Sequence, residues 1–454
     1  MRSHDDKNIS PQEKQVFWRI GVRIVPFLFL CYVVAMMDRL NVGFAKLQFI
    51  ADLHLNEAVY GMAAGFLYLG YILFEVPSNM LLHRRGVRPT LLRIMLLWGV
   101  FTMALAFASN RYEFYALRFL VGAAEAGFFP GVLLYFTYWF PDRMRARVTS
   151  LFVMALPVSG IVGGPMAAWI MTDFDRVFGL RGWQSLFVLE GIPALILGVV
   201  AYFYLSNRPA DATWLSAEEK RVVESTLGAP GGSASHAGPS KLREALRNKT
   251  LYSLAICYFA FYCVENALLL WIPTLLKSVG VGSLINIGWL SGGISVMATL
   301  GMLAVSFSSD YFAERRWHVL GCGMVSAISF LLLPLGAHSV QITVLLLLVS
   351  SAAVFGFLSL FWTIPSAYFK DQAAAGGIAL ISSVGAFGGT VSPAFIGWVK
   401  ELSGSFYYAL GTLGGFFLLS LILLYFTIPR TRTDVSARRQ LATGSGTKRG
   451  TESA

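Results

Sequence analysis

Residues 33–45 read Val-Val-Ala-Met-Met-Asp-Arg-Leu-Asn-Val-Gly-Phe-Ala. An acid and a base, Asp38 and Arg39, stand near the end of an apolar run that extends from 19 to 46. As a helix rising ~1.5 Å per residue, that run crosses the ~30 Å hydrocarbon layer of a bilayer. An Asp or Arg at the centre of such a helix costs about 2.5–3.5 kcal/mol on insertion scales, so each one needs a reason. Composition shows that the run is a span rather than a soluble core. Only 13% of the 454 residues are charged and 56% are hydrophobic, against ~25% charged in soluble domains. A soluble protein of this size needs a charged exterior that this chain lacks. The 44 glycines fit close helix approach in lipid.

Outward from that run, eleven more follow. The expected spans are 19–46, 57–83, 90–108, 112–140, 146–172 and 183–205, then 250–276, 285–309, 317–337, 341–369, 374–399 and 405–428. The polar stretch 1–15 has no cleavable-signal pattern, so the first run stays as a span. This predicts an all-α membrane protein with a tail at 1–18, a six-helix bundle at 19–205, a central loop at 206–249, a second six-helix bundle at 250–428 and a tail at 429–454. Within the loop, Ser216 and Glu219 have the spacing of a capping box for a short surface helix, followed by a Gly/Ser/Pro-rich linker at 228–240. Most of the 36 Lys and Arg residues fall on one side: Arg84/Arg85/Arg88/Arg93, Arg143/Arg145/Arg147, the central loop and the tail from Arg430. The positive-inside rule places that side, and both termini, in the cytoplasm. The net charge of +11 therefore serves topology, and nucleic acid is not an expected partner.

The halves echo each other. Phe140, Asp142, Leu151 and Trp169 recur at one constant offset as Phe369, Asp371, Leu380 and Trp398. Two pseudo-symmetric six-helix halves with a site at their seam suit a rocking transporter. His83, Arg84, Arg85, Arg88, Asp142, Asp310 and Asp371 lie at span ends and are expected to brace or gate the cytoplasmic side.

Inside the membrane, spans 1 and 4 each carry an acid and a base: Asp38/Arg39, and Arg118/Glu125 in Arg-Phe-Leu-Val-Gly-Ala-Ala-Glu. Seven residues place Arg118 and Glu125 on one face about 10 Å apart. They read either as structural ion pairs or as carboxylates for protons beside arginines for an anion, the guanidinium fork suiting a carboxylate. The second reading is preferred. Glu265 and Asn266 in span 7, Tyr71 in span 2, Trp362 in span 10 and Ser382/Ser383 in span 11 are further candidates for the substrate cavity; Trp271 is another candidate cavity wall, though each of the two tryptophans reads more simply as packing. Glu75 and Glu190 are expected to be structural. Cys31, Cys257, Cys263 and Cys322 lie in apolar runs without metal-ligand spacing and read as small buried hydrophobes. No nucleotide-binding loop, metal cluster or catalytic triad is present in the sequence, so neither enzyme nor cofactor is expected.

The chain resembles the major facilitator superfamily, and within it the anion:cation symporter family. The segments that carry this are 38–45, 75–79 (Glu-Val-Pro-Ser-Asn), 118–131, 182–193 (Gly-Trp-Gln-Ser-Leu-Phe-Val-Leu-Glu-Gly-Ile-Pro), 361–365 (Phe-Trp-Thr-Ile-Pro) and 373–381. The resemblance implies proton-driven uptake of a small organic anion, such as a hexuronate, galactonate, tartrate, phthalate or aromatic acetate, across the inner membrane. It implies protonation at Asp38 and Glu125, carboxylate binding at Arg39 and Arg118, a substrate contact at Tyr71 and a cavity position at Glu265. Three features depart from the family pattern. His83 and Asn79 stand where the loop signature has Asp and Gly, Ser382 and Ala386 where many relatives carry Asn, and Met36 where an aromatic hydroxyl is usual. A pocket with fewer hydrogen-bonding groups favours a tartrate-like or aromatic acid over a sugar acid. The expectation is a monomeric proton:organic-anion symporter, with an exchanger or uniporter as the alternative and a transporter-like metabolite sensor behind both.

Overall fold

The computed structural model describes residues 10–227, 249–312, 314–337, 339–368 and 371–427; the linker at 228–240 and the tail from Arg430 lie outside these. Among the described residues the secondary structure is helical, and twelve helices are long and apolar enough to cross a membrane. In order they are Pro11–Asp52, Glu57–Leu82, Val87–Leu105, Arg111–Trp139, Asp142–Asp173 and Gly182–Tyr204, then Lys249–Ser278, Leu284–Phe312, Arg316–Gly336, Val340–Pro365, Leu380–Ser403 and Phe406–Thr427, called spans 1 to 12 below. Large apolar side chains such as Trp289, Leu419 and Phe426 are two-thirds or more exposed, an arrangement suited to lipid rather than water. The protein is a multi-pass membrane protein.

Span 1 is longer than its apolar run. Ser10 caps it by accepting from the Glu13 N–H, Pro11 opens the first turn, and 42 residues follow, about 63 Å at 1.5 Å per residue. Its polar first turns have partners in protein rather than lipid. Gln12 donates to Glu218 at 2.6 Å, Arg19 pairs with Glu219 at 2.8 Å, and Arg143 pairs with Glu13. Glu218 and Glu219 open the loop helix Ala217–Leu227, where Ser216 and Glu219 form the expected capping box at 2.8 and 3.1 Å. The Ser216 backbone N–H, aided by Arg19, holds the Glu219 carboxyl below the usual carboxylate range.

The chain forms two compact units. The first takes in Met1–Ser235, Leu269–Val296 and Gly389–Phe406; the second His236–Leu268, Met297–Gly388 and Tyr407–Ala454. In the first, span 3 packs on span 6, span 2 on span 4, and span 1 on span 5. Glycine sets the second of these pairs. A Cβ on Gly122 would lie 1.9 Å from the Leu67 carbonyl oxygen, and one on Gly70 2.2 Å from that of Phe119. The two backbones touch, which brings Tyr68 and Tyr71 beside Arg118 and Glu125. Gly122→Ala must part these helices. It is expected to destabilise the protein by about 1–3 kcal/mol, seen as a lower melting temperature; an unchanged one would contradict the contact.

Three spans are broken where the sequence reading took them as continuous. Span 4 stops at Glu125 and resumes at Phe128, with Gly127 at φ +87°. Span 5 breaks at Met154 and span 10 at Trp362. A proline follows each break (Pro130, Pro157, Pro365), and its ring displaces the carbonyl four residues back. Of the cysteines, three are buried and Cys322 is half-buried.

Candidate functional site

The charged residues of spans 1 and 4 do come together in the first unit, but not in sequence-local pairs. Arg39 binds Glu125 with both edges of the fork, Nη2 to Oε1 at 2.8 Å and Nε to Oε2 at 3.1 Å. Its guanidinium also faces Tyr71 at 5.1 Å and Tyr68 at 5.7 Å from the ring centroids, a cation–π arrangement. Asp38 turns the other way. Its Oδ2 accepts from Trp98 Nε1 at 2.7 Å and Thr102 Oγ1 at 3.1 Å. Trp98 and Thr102 are four apart on span 3 and so share a face. Successive residues on a helix diverge by ~100°, which is why Asp38 and Arg39 serve different neighbours.

Arg118 is the outlier. Its side chain is 2% exposed, yet among the described residues it has no ion pair within 4.0 Å, and its Nε is a buried donor without an acceptor. Asp38 and Glu125 are both within charge–charge range of it. The ion pair that forms is Arg39–Glu125, between residues 86 apart, and not the Asp38/Arg39 and Arg118/Glu125 pairs of the structural reading. The result is a buried cation flanked by one carboxylate held by neutral donors and one held by another arginine.

The remaining candidates belong to the second unit. Asn266 is buried; its amide donates to the Tyr262 carbonyl at 2.9 Å, and among the described residues its side-chain oxygen has no donor. Glu265 is half-buried, and Ser382 and Ser383 are exposed. Trp362, at the break in span 10, stands edge-on to Tyr258 at 4.8 Å. A Cβ on Gly385 would lie 2.3 Å from the same tyrosine ring, so span 11 meets span 7 one turn from the two serines.

The bracing residues are less tied than expected. Arg84 and Arg85 are exposed. Asp142 is 90% exposed and pairs with Arg145 in its own helix, and Asp310, 73% exposed, approaches Arg315 at 3.8 Å. Arg88 makes a firmer contact, donating to the Tyr202 carbonyl at 2.6 Å. The side chains of His83 and Asp371 lie outside the described residues.

Two buried polar groups, Lys46 and Asn41, escaped the sequence reading, and a third, Glu190, was expected to be structural. Lys46, 2% exposed, is 2.7 Å from Glu57 and sits 3.8, 4.5 and 5.4 Å from the rings of Trp271, Tyr60 and Phe406. Among the described residues Asn41 is fully buried with neither amide atom bonded, and Glu190, 5% exposed, has both carboxyl oxygens unbonded. Lys46 looked like a span end, and its position seven residues from Arg39, on the same face, was the signal available. Trp271, read as packing, is fully buried against Lys46.

The profile of the Major Facilitator Superfamily matches residues 28–393 and 254–449. A Pseudomonas putida protein named "Putative metabolite transport protein NicT" is 40% identical over 411 residues, 90% of this chain and 94% of its own. A "Putative tartrate transporter" of Agrobacterium vitis is 39% identical over 414 residues, covering 90% of this chain and 91% of that one. The crystal structure of a D-xylose-proton symporter superposes with a TM-score of 0.71 at 17% identity, over 90% of this chain and 98% of that one.

Proposed function

The chain belongs to the Major Facilitator Superfamily, and from that premise we propose that it is a proton-coupled symporter of a small organic anion, of tartrate-like or aromatic-acid type. It works by alternating access of the six-span halves 19–205 and 250–428, in the inner membrane, with both termini cytoplasmic. The observation that carries this reading is Arg118. An unpaired guanidinium in a dry interior is costly, and a substrate carboxylate supplies the missing partner, with two oxygens to match the fork. The names of the relatives in Pseudomonas putida and Agrobacterium vitis support the substrate class.

Charge balance supplies the coupling. Asp38, Arg39, Arg118 and Glu125 sum to zero when all are ionised. Each substrate carboxylate that arrives makes the sum one unit more negative, and one proton per carboxylate, on Asp38 or Glu125, restores it. Substrate and proton therefore favour each other's presence, and the neutral loaded site moves at lower electrostatic cost. Glu125 is well placed for this role because it ends the first segment of span 4, at the break.

The test is uptake of labelled L-tartrate into proteoliposomes under an inward proton gradient. Accumulation that a protonophore abolishes supports symport. Uptake that needs an internal anion and ignores the proton gradient makes the protein an exchanger. Binding without uptake makes it a sensor.

A further inference from the structure

We infer that Lys46 is the clasp that holds the outer ends of spans 1 and 2 closed against those of spans 7 and 12; this rests on the alternating-access reading above. Lys46 lies near the end of span 1 and is 2% exposed. Glu57, in the first turn of span 2, pairs with it at 2.7 Å. Both belong to the half 19–205, so the pair fixes the ammonium there. The rings that grip it come largely from the other half, within the same compact unit. Trp271 of span 7 stands 3.8 Å from Nζ and Phe406 of span 12 stands 5.4 Å from it, while Tyr60 of span 2 closes the third side at 4.5 Å. The rings also pack on one another: Trp271 meets Tyr60 edge-on at 5.2 Å and Phe406 at 5.0 Å. A desolvated cation is attracted by the faces of such rings, most strongly by that of Trp.

The same level carries backbone contacts between these spans. A Cβ on Gly43 would lie 2.8 Å from the Leu270 carbonyl oxygen, and the Tyr60 hydroxyl donates to that oxygen at 3.1 Å. A Cβ on Gly61 would lie 2.1 Å from the Pro393 carbonyl oxygen, and one on Gly397 2.3 Å from that of Glu57. Halves that rock about a central site must part here in each cycle to admit a solute from outside. When they part, Trp271 and Phe406 leave with spans 7 and 12, and Lys46 stays with Glu57. No ion pair breaks; what is lost is the grip of the rings on the cation. Two further lysines keep that grip reversible. Lys277 donates to the Leu47 carbonyl at 3.1 Å, and Lys400 Nζ lies 4.8 Å from the Phe406 ring. Lys400 and Lys46 thus approach one ring, and their repulsion opposes the clasp.

Ser291, buried on span 8, reads the opening. It lies about two turns in from Leu284, and a Cβ on Gly164 of span 5 would be 3.2 Å from its own Cβ. In Ser291→Cys, reaction with a membrane-impermeant maleimide in right-side-out vesicles follows the fraction of time this end is open, with the protein lacking S291C as background. Lys46→Gln should raise the rate about 2- to 30-fold, the population ratio that matches a cation held over rings. Trp271→Leu should do the same, and the two together should add little, because each removes one shared contact. Lys46→Arg keeps a cation for the rings and should stay near the wild-type rate. An unchanged rate in K46Q overturns the inference. So does a K46R rate as high as that of K46Q, or full additivity of K46Q and W271L, either of which marks plain packing. An S291C rate at background in wild type and every variant means that this end does not open, and overturns the alternating-access reading and this inference together. A measurable wild-type rate that K46Q leaves alone overturns this inference only. If K46Q does not fold, a wild-type rate in W271L overturns it.

Discussion

Arg118→Ala is expected to abolish substrate binding, the largest single effect of any substitution in the protein. Truncating one partner of a buried, hydrogen-bonded charge pair costs about 2–5 kcal/mol, which is about 30-fold to more than a thousandfold in affinity. Folding should not suffer. Among the described residues the wild-type guanidinium makes no ion pair within 4.0 Å and its Nε no hydrogen bond, so its removal strands no hydrogen-bond partner, and the truncated protein should melt close to the wild-type temperature. That split, stability kept and binding abolished, separates a ligand-holding arginine from a structural one. Arg118→Lys should recover part of the affinity, since it restores the charge without the fork. Thermal-shift titration with L-tartrate and other small carboxylic acids reads both variants. Wild-type ligand stabilisation in R118A would remove Arg118 from the site.

Glu125→Gln is expected to stop uphill transport while leaving exchange. The amide keeps the size and a hydrogen-bond acceptor for Arg39, but it cannot take up or release a proton. Arg39 then becomes a second unneutralised cation near Arg118, so anion binding should persist or tighten while release slows. Proton-driven accumulation should fall at least tenfold, about 1.4 kcal/mol or more of coupling free energy. Counterflow, which moves substrate both ways without net proton transfer, should survive. Accumulation that still follows the pH gradient would take Glu125 out of the coupling step. Asp38→Asn provides the contrast: it strands the Trp98 and Thr102 donors on a weaker acceptor, and its counterflow should suffer more than that of E125Q.

The sequence alone determined that this is an all-helical, twelve-span membrane protein and which ionisable residues were unusual. Hydropathy is a property of consecutive residues, and taking a charge out of water costs free energy whichever partner later offsets it, so Asp38, Arg39, Arg118 and Glu125 stood out before any helix was placed. The tertiary structure decided who meets whom. Arg39 takes Glu125 rather than Asp38, Asp38 goes to Trp98 and Thr102, and Arg118 is left over, because glycine contacts such as Gly70–Phe119 and Gly122–Leu67 choose which helix faces touch. The same packing left Glu190 buried with no hydrogen bond to either carboxyl oxygen among the described residues. Pairing depends on interhelical register, which a one-dimensional pattern of apolar and polar residues does not contain; it is set by where two backbones can approach within contact distance.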